Sequence, residues 1–163
     1  MQPCKKDGSN RVNFSYFAEN IGEMKDIMDL LGRVFLSFPF LYEAYDSIKF
    51  YDKTKVIMTS YGLTWRQDLL LVGAITLLIM GGSMMLLGYR ASFGALLLLL
   101  YWVPVTFIVH SFWNDPTPEL HRINSIHFMK NIAITGGVLM VLVNGSGRYS
   151  MRRLLATARV RGT

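Results

Sequence analysis

Two long stretches without a charged residue, separated by a single arginine, constrain this chain more than any other feature of its sequence. Residues 69–89 give 21 uncharged positions in succession, and residues 91–109 give another 19, with Arg90 between them. A helix rises about 1.5 Å per residue, so about 20 residues cross a hydrocarbon core of about 30 Å. The pattern therefore predicts two successive membrane-spanning helices joined by a tight turn.

Two further segments predict additional spans. Residues 131–147 are again uncharged, and the segment reaches spanning length from residue 128 if Lys130 extends its ammonium group to the interface. Residues 27–48 are strongly apolar, although charged side chains interrupt them, among them Arg33, Glu43 and Asp46. We therefore predict four spans, at about residues 27–48, 69–89, 91–110 and 128–147.

The regions outside the spans complete an all-α membrane protein, a four-transmembrane-helix bundle with an N-terminal amphipathic helix and a short interfacial helix. Before the first span, apolar residues recur along one helical face: Phe17, Ile21, Met24, Met28 and Leu31. This segment either lies on the membrane or continues into the span. Residues 51–67 mix aromatic residues with lysines, which favours an interfacial helix. The predicted parts are an extension at 1–26, a membrane domain at 27–147 and a basic tail at 148–163. Within the domain, the two prolines of residues 111–126 predict a loop.

Composition and charge exclude several other classes. Charged residues make up only 17% of the chain, against about 25% in soluble domains. The single cysteine, Cys4, excludes an internal disulfide framework and a cysteine-rich metal site. The net charge of +6 reflects a basic tail rather than a folded nucleic-acid platform, so no nucleic acid is expected. We predict that the tail contacts anionic phospholipids or a partner protein through Arg148, Arg152, Arg153, Arg159 and Arg161.

Polar residues within or beside the spans are the candidates for chemistry, because a charge at mid-bilayer costs about 2.5–3.5 kcal/mol on insertion scales. They are Arg33, Glu43, Asp46, His110 and Lys130. Glu43 and Asp46 share a helix face, which suggests either a proton or ligand site or an interfacial helix end where Asp46 pairs with Lys49. No catalytic or metal-binding motif is present in the sequence, so no catalytic residue and no metal ligand are predicted.

Small residues within the spans predict close helix contacts. Paired glycines occur in the second span, at Gly81 and Gly82, and in the fourth, at Gly136 and Gly137. Such residues let membrane helices approach closely, where packing drives their association.

These segments together resemble the DoxX family, over about residues 30–145. The resemblance is carried by GRVFLSFPFLYEAYDSIKF, by the glycine-rich hairpin from ITLLIMGG to IVHSFW, and by HFMKNIAITGGVLMVL. The plant lesion-inducing-protein-like branch is similar. The resemblance implies a four-helix membrane bundle. The family takes its name from a small subunit of an archaeal thiosulfate:quinone oxidoreductase, and other members resemble accessory partners of redox systems.

Two functions follow as expectations. The first is a non-catalytic accessory subunit of a larger membrane complex of the respiratory chain, with other subunits as partners and no cofactor. The second is a small quinone-linked redox or transport module, with quinone or haem as its cofactor, in which the five polar candidates converge on one cavity. The resemblance to redox partners favours the mitochondrial inner membrane, while the endoplasmic reticulum and a bacterial plasma membrane remain open.

Overall fold

The computed structural model describes residues 8–146, and the side chains of residues 21, 22 and 24–146. This part of the chain contains five α-helices: α1 (Gly8–Lys49), α2 (Tyr51–Ser60), α3 (Gln67–Leu87), α4 (Ala91–Val109) and α5 (Pro118–Asn144). The predicted contact residues of the tail, Arg148, Arg152, Arg153, Arg159 and Arg161, lie outside the described residues. The predicted all-helical class is confirmed for the described part.

Three helices, α3, α4 and α5, are long and apolar enough to cross a membrane. Helix α1 packs lengthwise against α3, but its second half carries the charges of the predicted first span. The fourth crossing therefore remains a prediction that rests on α1.

The sequence left open whether the N-terminal amphipathic segment lies on the membrane or continues into the first predicted span. In the structure, α1 is one continuous helix across this boundary. It runs from Gly8 to Lys49 through Pro39, so the predicted amphipathic segment continues into the bundle. The next element, α2, is the predicted short helix between the first two spans, and it buries none of its residues.

The loop predicted at residues 111–126 is shorter than expected, because α5 already begins at Pro118. Thr117 caps this helix: its hydroxyl accepts a hydrogen bond from the backbone N–H of Leu120, and proline occupies the first helical position. The predicted span from residue 128 is thus the continuation of a helix that starts ten residues earlier. Only residues 110–117, with a short 3₁₀ turn at Phe112–Asn114, connect α4 to α5.

The chain runs up and down through the bundle. Helices α3 and α4 form a hairpin around a three-residue turn in which Gly88 and Arg90 both have positive φ, at 68° and 50°. Phe40 of α1 meets the Trp102 ring of α4 edge-on at 5.0 Å, so these two parallel helices share the core. The core cluster consists of Phe40, Ala44, Leu78, Met85, Ala91, Ala95, Leu98, Val138 and Val141.

Three of the four predicted packing glycines lie at helix contacts. A β-carbon on Gly81 would lie 2.9 Å from the carbonyl oxygen of Gly94, and one on Gly82 would lie 2.8 Å from Leu41 Cδ2. Gly137 packs in the same way against Leu36. Gly136 packs against no other part of residues 8–146: a β-carbon there would have no neighbour within 4 Å among them. Adjacent helical residues point about 100° apart, so Gly136 and Gly137 cannot both face α1.

Candidate functional site

Arg33 is the most deeply buried of the predicted polar residues, with 1% of its surface exposed. Its Nε donates a hydrogen bond to the Asp29 carboxylate at 3.0 Å, one turn earlier on α1. The Ser37 hydroxyl donates to the Arg33 carbonyl oxygen at 2.6 Å. A charge in a membrane bundle is tolerated when it is paired and faces protein. Arg33 meets both conditions, because Asp29 pairs with it and its side chain is buried.

Glu43 of α1 and Lys130 of α5 lie at about the same height, each on the side of its helix that faces the other helix. The reference point is the contact of Leu36 with Gly137, where a β-carbon on Gly137 would lie 2.9 Å from Leu36 Cδ2. Glu43 follows Leu36 by seven residues, and Lys130 precedes Gly137 by seven. Because the helices are antiparallel and seven residues make about two turns, both residues lie about 10 Å above this contact, on the sides of α1 and α5 that carry Leu36 and Gly137. Both are exposed.

Two further groups act on Glu43. Asp46 stands one turn later on α1 and interacts unfavourably with the Glu43 carboxylate, since both are acids. Tyr101 of α4, which packs against the core, also lies within electrostatic range of Glu43. The Glu43 carboxylate therefore lies on the part of α1 that approaches Tyr101 of α4.

His110 is paired with a histidine of the next helix. It follows the last residue of α4, and its ring stacks on that of His127 of α5, with centroids 5.1 Å apart and planes 16° apart. Four aromatic rings form a cluster beside this end of the hairpin: Phe107, Phe112, Trp113 and Phe128. The arrangement fastens the end of α4 to α5.

The short connection between α4 and α5 is held by side chains that sequence reasoning did not single out. Asn124 donates to both carboxylate oxygens of Asp115, at 3.0 and 2.9 Å. The His121 ring nitrogen Nδ1 lies 2.8 Å from the Phe112 carbonyl oxygen. These contacts join the connection between the helices to the first turns of α5.

A polar contact inside the bundle was also missed. Asn131 of α5 is buried and donates to the Thr106 hydroxyl of α4 at 3.2 Å. The Trp102 indole donates to the Asn131 carbonyl oxygen at 3.3 Å. The sequence signal for this contact was the asparagine itself, at the start of an otherwise apolar segment. Polar groups buried in a membrane need hydrogen-bond partners, so such an asparagine indicates a partner on another helix.

Asp68 joins α2 to α3 at the end of the bundle where α1 ends and α3 begins. Its carboxylate accepts from the Lys55 ammonium at 2.8 Å and from the Tyr51 hydroxyl at 3.1 Å. The hydrogen bond to Asp68 raises the pKa of Lys55 above its usual value. This surface clamp positions α2 where the sequence predicted the interfacial helix.

The structure does not bring the five predicted polar residues together. Arg33 lies seven residues below Phe40, and His110 lies eight residues above Trp102 on a parallel helix. Since Phe40 contacts Trp102, about 20 Å along the bundle axis separates Arg33 from His110. The other four predicted residues all lie in the upper half of the bundle, towards Lys49: Glu43, Asp46, His110 and Lys130. Within the described residues, no three histidine, cysteine, aspartate or glutamate side chains gather as metal ligands.

An open cleft lies at the opposite, lower end of the bundle. It is lined by the start of α4 and the end of α5: Arg90, Ala91, Ser92, Phe93, Asn144, Gly145 and Ser146. None of the five predicted polar residues lines this cleft.

Comparison with known proteins adds a family and several relatives. The sequence model of the DoxX family matches residues 28–111, which extend from the second half of α1 to the end of α4. Inner membrane protein YqjF of Escherichia coli (strain K12) is 29% identical over 133 residues, which cover 82% of this chain and 95% of that protein. Inner membrane protein YphA of the same organism is 25% identical over 134 residues, covering 82% and 94%.

A eukaryotic protein is similar as well. The Surfeit locus protein 4 homolog of Schizosaccharomyces pombe is 28% identical over 123 residues, which cover 75% of this chain but only 35% of that longer protein. No solved structure matches the chain significantly.

Proposed function

Because this chain belongs to the DoxX family of membrane proteins, we propose that it acts as a non-catalytic accessory subunit of a larger membrane complex. The observation that carries this proposal is the part of α1 that extends beyond the bundle, residues 8–28, which we term the α1 overhang. Asn144 ends α5 and lies level with Asp29, because each is seven residues from the contact of Leu36 with Gly137. The overhang therefore projects about 30 Å past the last turn of α5.

The described part of the overhang exposes apolar side chains. Exposed fractions are 49% at Ile21, 57% at Met24, 47% at Ile27 and 61% at Met28. An amphipathic helix can cover such a face by lying in the membrane surface. The overhang shares the axis of the membrane half of α1, since the helix is continuous, and so it points away from the membrane. We infer that a partner subunit covers this face.

The same proposal also includes the kind of membrane and the kinds of partner. Two relatives carry the name inner membrane protein in Escherichia coli, which favours a bacterial plasma membrane over the mitochondrial inner membrane that the sequence suggested. A complex of the respiratory chain is proposed from the family resemblance alone. Contact of the arginine-rich tail with anionic phospholipids is proposed from its sequence.

The test is native electrophoresis of the protein from its own membranes in mild detergent, with mass spectrometry across the gel. We expect migration with other membrane subunits at high mass. Met24→Gln combined with Met28→Gln removes two apolar side chains one turn apart on the overhang and should release the protein from that band. Lys25→Gln is the matched control, because Lys25 is exposed between them. Migration of the unmodified protein alone, or only as a pair of copies, would contradict the proposal.

A further inference from the structure

Two lysines at the upper end of the bundle stand beside the same aromatic ring. The ammonium group of Lys49, the last residue of α1, lies 5.3 Å from the centroid of the Phe50 ring. The ammonium group of Lys53, in the first turn of α2, lies 5.0 Å from the same centroid. Lys49 also lies 5.7 Å from the centroid of Tyr45. Because the face of an aromatic ring attracts a cation, these contacts hold both ammonium groups in one small region of the surface.

No acid within residues 8–146 neutralises these two lysines. The sequence suggested that Asp46 pairs with Lys49, but neither Asp46 nor Asp52 forms an ion pair with either lysine in the described part of the chain. Both lysine side chains are exposed. Two neighbouring positive charges repel each other, and an anion between them turns this repulsion into attraction.

Below Lys49, an aromatic stripe runs along the outer side of α1. Phe38, Tyr42 and Tyr45 follow one another at spacings of four and three residues, and they are 69%, 59% and 57% exposed. The ring centroids of Phe38 and Tyr42 are 6.5 Å apart, as are those of Tyr42 and Tyr45. Because α1 packs lengthwise against α3, which is long and apolar enough to cross a membrane, the exposed stripe faces lipid.

We propose that Lys49 and Lys53 bind the phosphate group of a phospholipid with a net negative charge, and that its acyl chains lie along the aromatic stripe. Lysine binds phosphate as a point charge, and basic residues at the membrane surface attract anionic headgroups. Tyrosine is enriched at the level of the headgroups, which is where a spanning helix ends. The stripe favours a lipid over free phosphate, because only a lipid also covers the exposed rings.

This lipid site is separate from the accessory role proposed above. That role rests on the α1 overhang at the lower end of the bundle, whereas the two lysines lie at the upper end. The arginine-rich tail, for which contact with anionic phospholipids is proposed, follows α5, and α5 ends at the lower end. The lysine site can therefore fail while both other proposals hold, and the reverse is also true.

The first test is native mass spectrometry of the full chain in mild detergent, titrated with phosphatidylglycerol. We expect Lys49→Gln combined with Lys53→Gln to weaken the binding of one lipid by about tenfold or more, because two positive charges are removed. Arg66→Gln combined with Arg122→Gln is the matched control, since it removes the same charge from exposed residues at the same end. The control should keep this lipid, and helical circular dichroism should be the same for all three proteins.

Two further ligands separate the possible sources of the phosphate. Phosphatidylcholine with the same acyl chains should bind several-fold more weakly, because its headgroup carries no net charge. Inorganic phosphate at the same concentration should not displace phosphatidylglycerol, because it makes no contact with the aromatic stripe. Equal binding of the two lipids, displacement by inorganic phosphate, or equal losses in the two double variants would each overturn the proposal.

A second measurement locates the lipid in the unmodified protein. Phosphatidylglycerol with a photoreactive group on its headgroup is cross-linked to the protein in membranes, and the adducts are mapped by mass spectrometry. We expect adducts within residues 45–53. Adducts confined to the tail at residues 148–163, or to any other part of the chain, would show that the two lysines do not form a lipid site.

Discussion

Gly81 and Gly94 face each other across the α3–α4 hairpin so closely that each leaves no room for a side chain on the other. A β-carbon on Gly81 would lie 2.9 Å from the Gly94 carbonyl oxygen, and one on Gly94 would lie 2.8 Å from the Gly81 carbonyl oxygen. Both neighbouring atoms belong to backbone, which cannot move aside as a flexible side chain can.

We expect Gly81→Ala and Gly94→Ala each to destabilise the protein by about 1–3 kcal/mol, the usual cost of overpacking. The measurement is the free energy of unfolding in detergent micelles, followed by helical circular dichroism. Gly73→Ala in α3 is the control, since a β-carbon there has no neighbour within 4 Å. That control should be neutral or slightly stabilising, because alanine favours the helix. Equal losses at Gly81 and Gly73 would contradict the packing argument.

Removal of the Asp29 carboxylate should destabilise the bundle through Arg33. Asp29→Asn takes away the charge that accepts from the buried guanidinium at 3.0 Å, and we expect a loss of about 1–3 kcal/mol, because Asp29 itself is partly exposed. Replacement of both partners, Asp29→Leu with Arg33→Met, should recover much of this loss, because no buried charge remains. Unfolding titrations of the three proteins in the same micelles decide the matter. A double variant that is less stable than Asp29→Asn would show that Arg33 stabilises the bundle by more than its pairing with Asp29.

The contact of Asn131 with Thr106 should contribute about 0.6 kcal/mol, the average for hydrogen bonds between membrane helices, and no more than the maximum of about 1.7 kcal/mol. A double-mutant cycle with Asn131→Leu and Thr106→Val isolates this coupling. Thr76→Val is a suitable control, because the Thr76 hydroxyl donates only to the Val72 carbonyl of its own helix. Additive losses at Asn131 and Thr106 would mean that the hydrogen bond adds nothing to stability.

The clamp of α2 on α3 should respond to alkaline pH. Lys55 has a raised pKa in the folded protein because Asp68 accepts its hydrogen bond. Its contribution to stability is complete below the pKa of lysine in the unfolded chain, about 10.4, and disappears as pH rises through the higher folded value. The unfolding midpoint should therefore fall more steeply at high pH in the unmodified protein than in Lys55→Met. Lys53→Met, a change at an exposed neighbour, should retain the steeper fall.

The membrane helices were predictable from the sequence because unbroken apolar runs have few other stable arrangements. The start of α5 was missed although Thr117 and Pro118 form a recognisable helix start, because the two prolines were taken together as a loop signal. The depth match of Glu43 and Lys130 was not accessible, since it depends on which residues of α1 and α5 touch. The sequence marked Gly136 and Gly137 equally, and only the packing of α1 distinguishes them.

The three-residue turn between α3 and α4 has a consequence for how the protein assembles. Gly81 and Gly94 are only thirteen residues apart along the chain, whereas Leu36 and Gly137 are separated by about a hundred. Closing a short loop costs less entropy, and contacts between residues near in sequence form sooner. We therefore expect α3 and α4 to enter the membrane and associate as a pair during synthesis. Helix α1 can then pack lengthwise against α3, and its contact with α5 forms last.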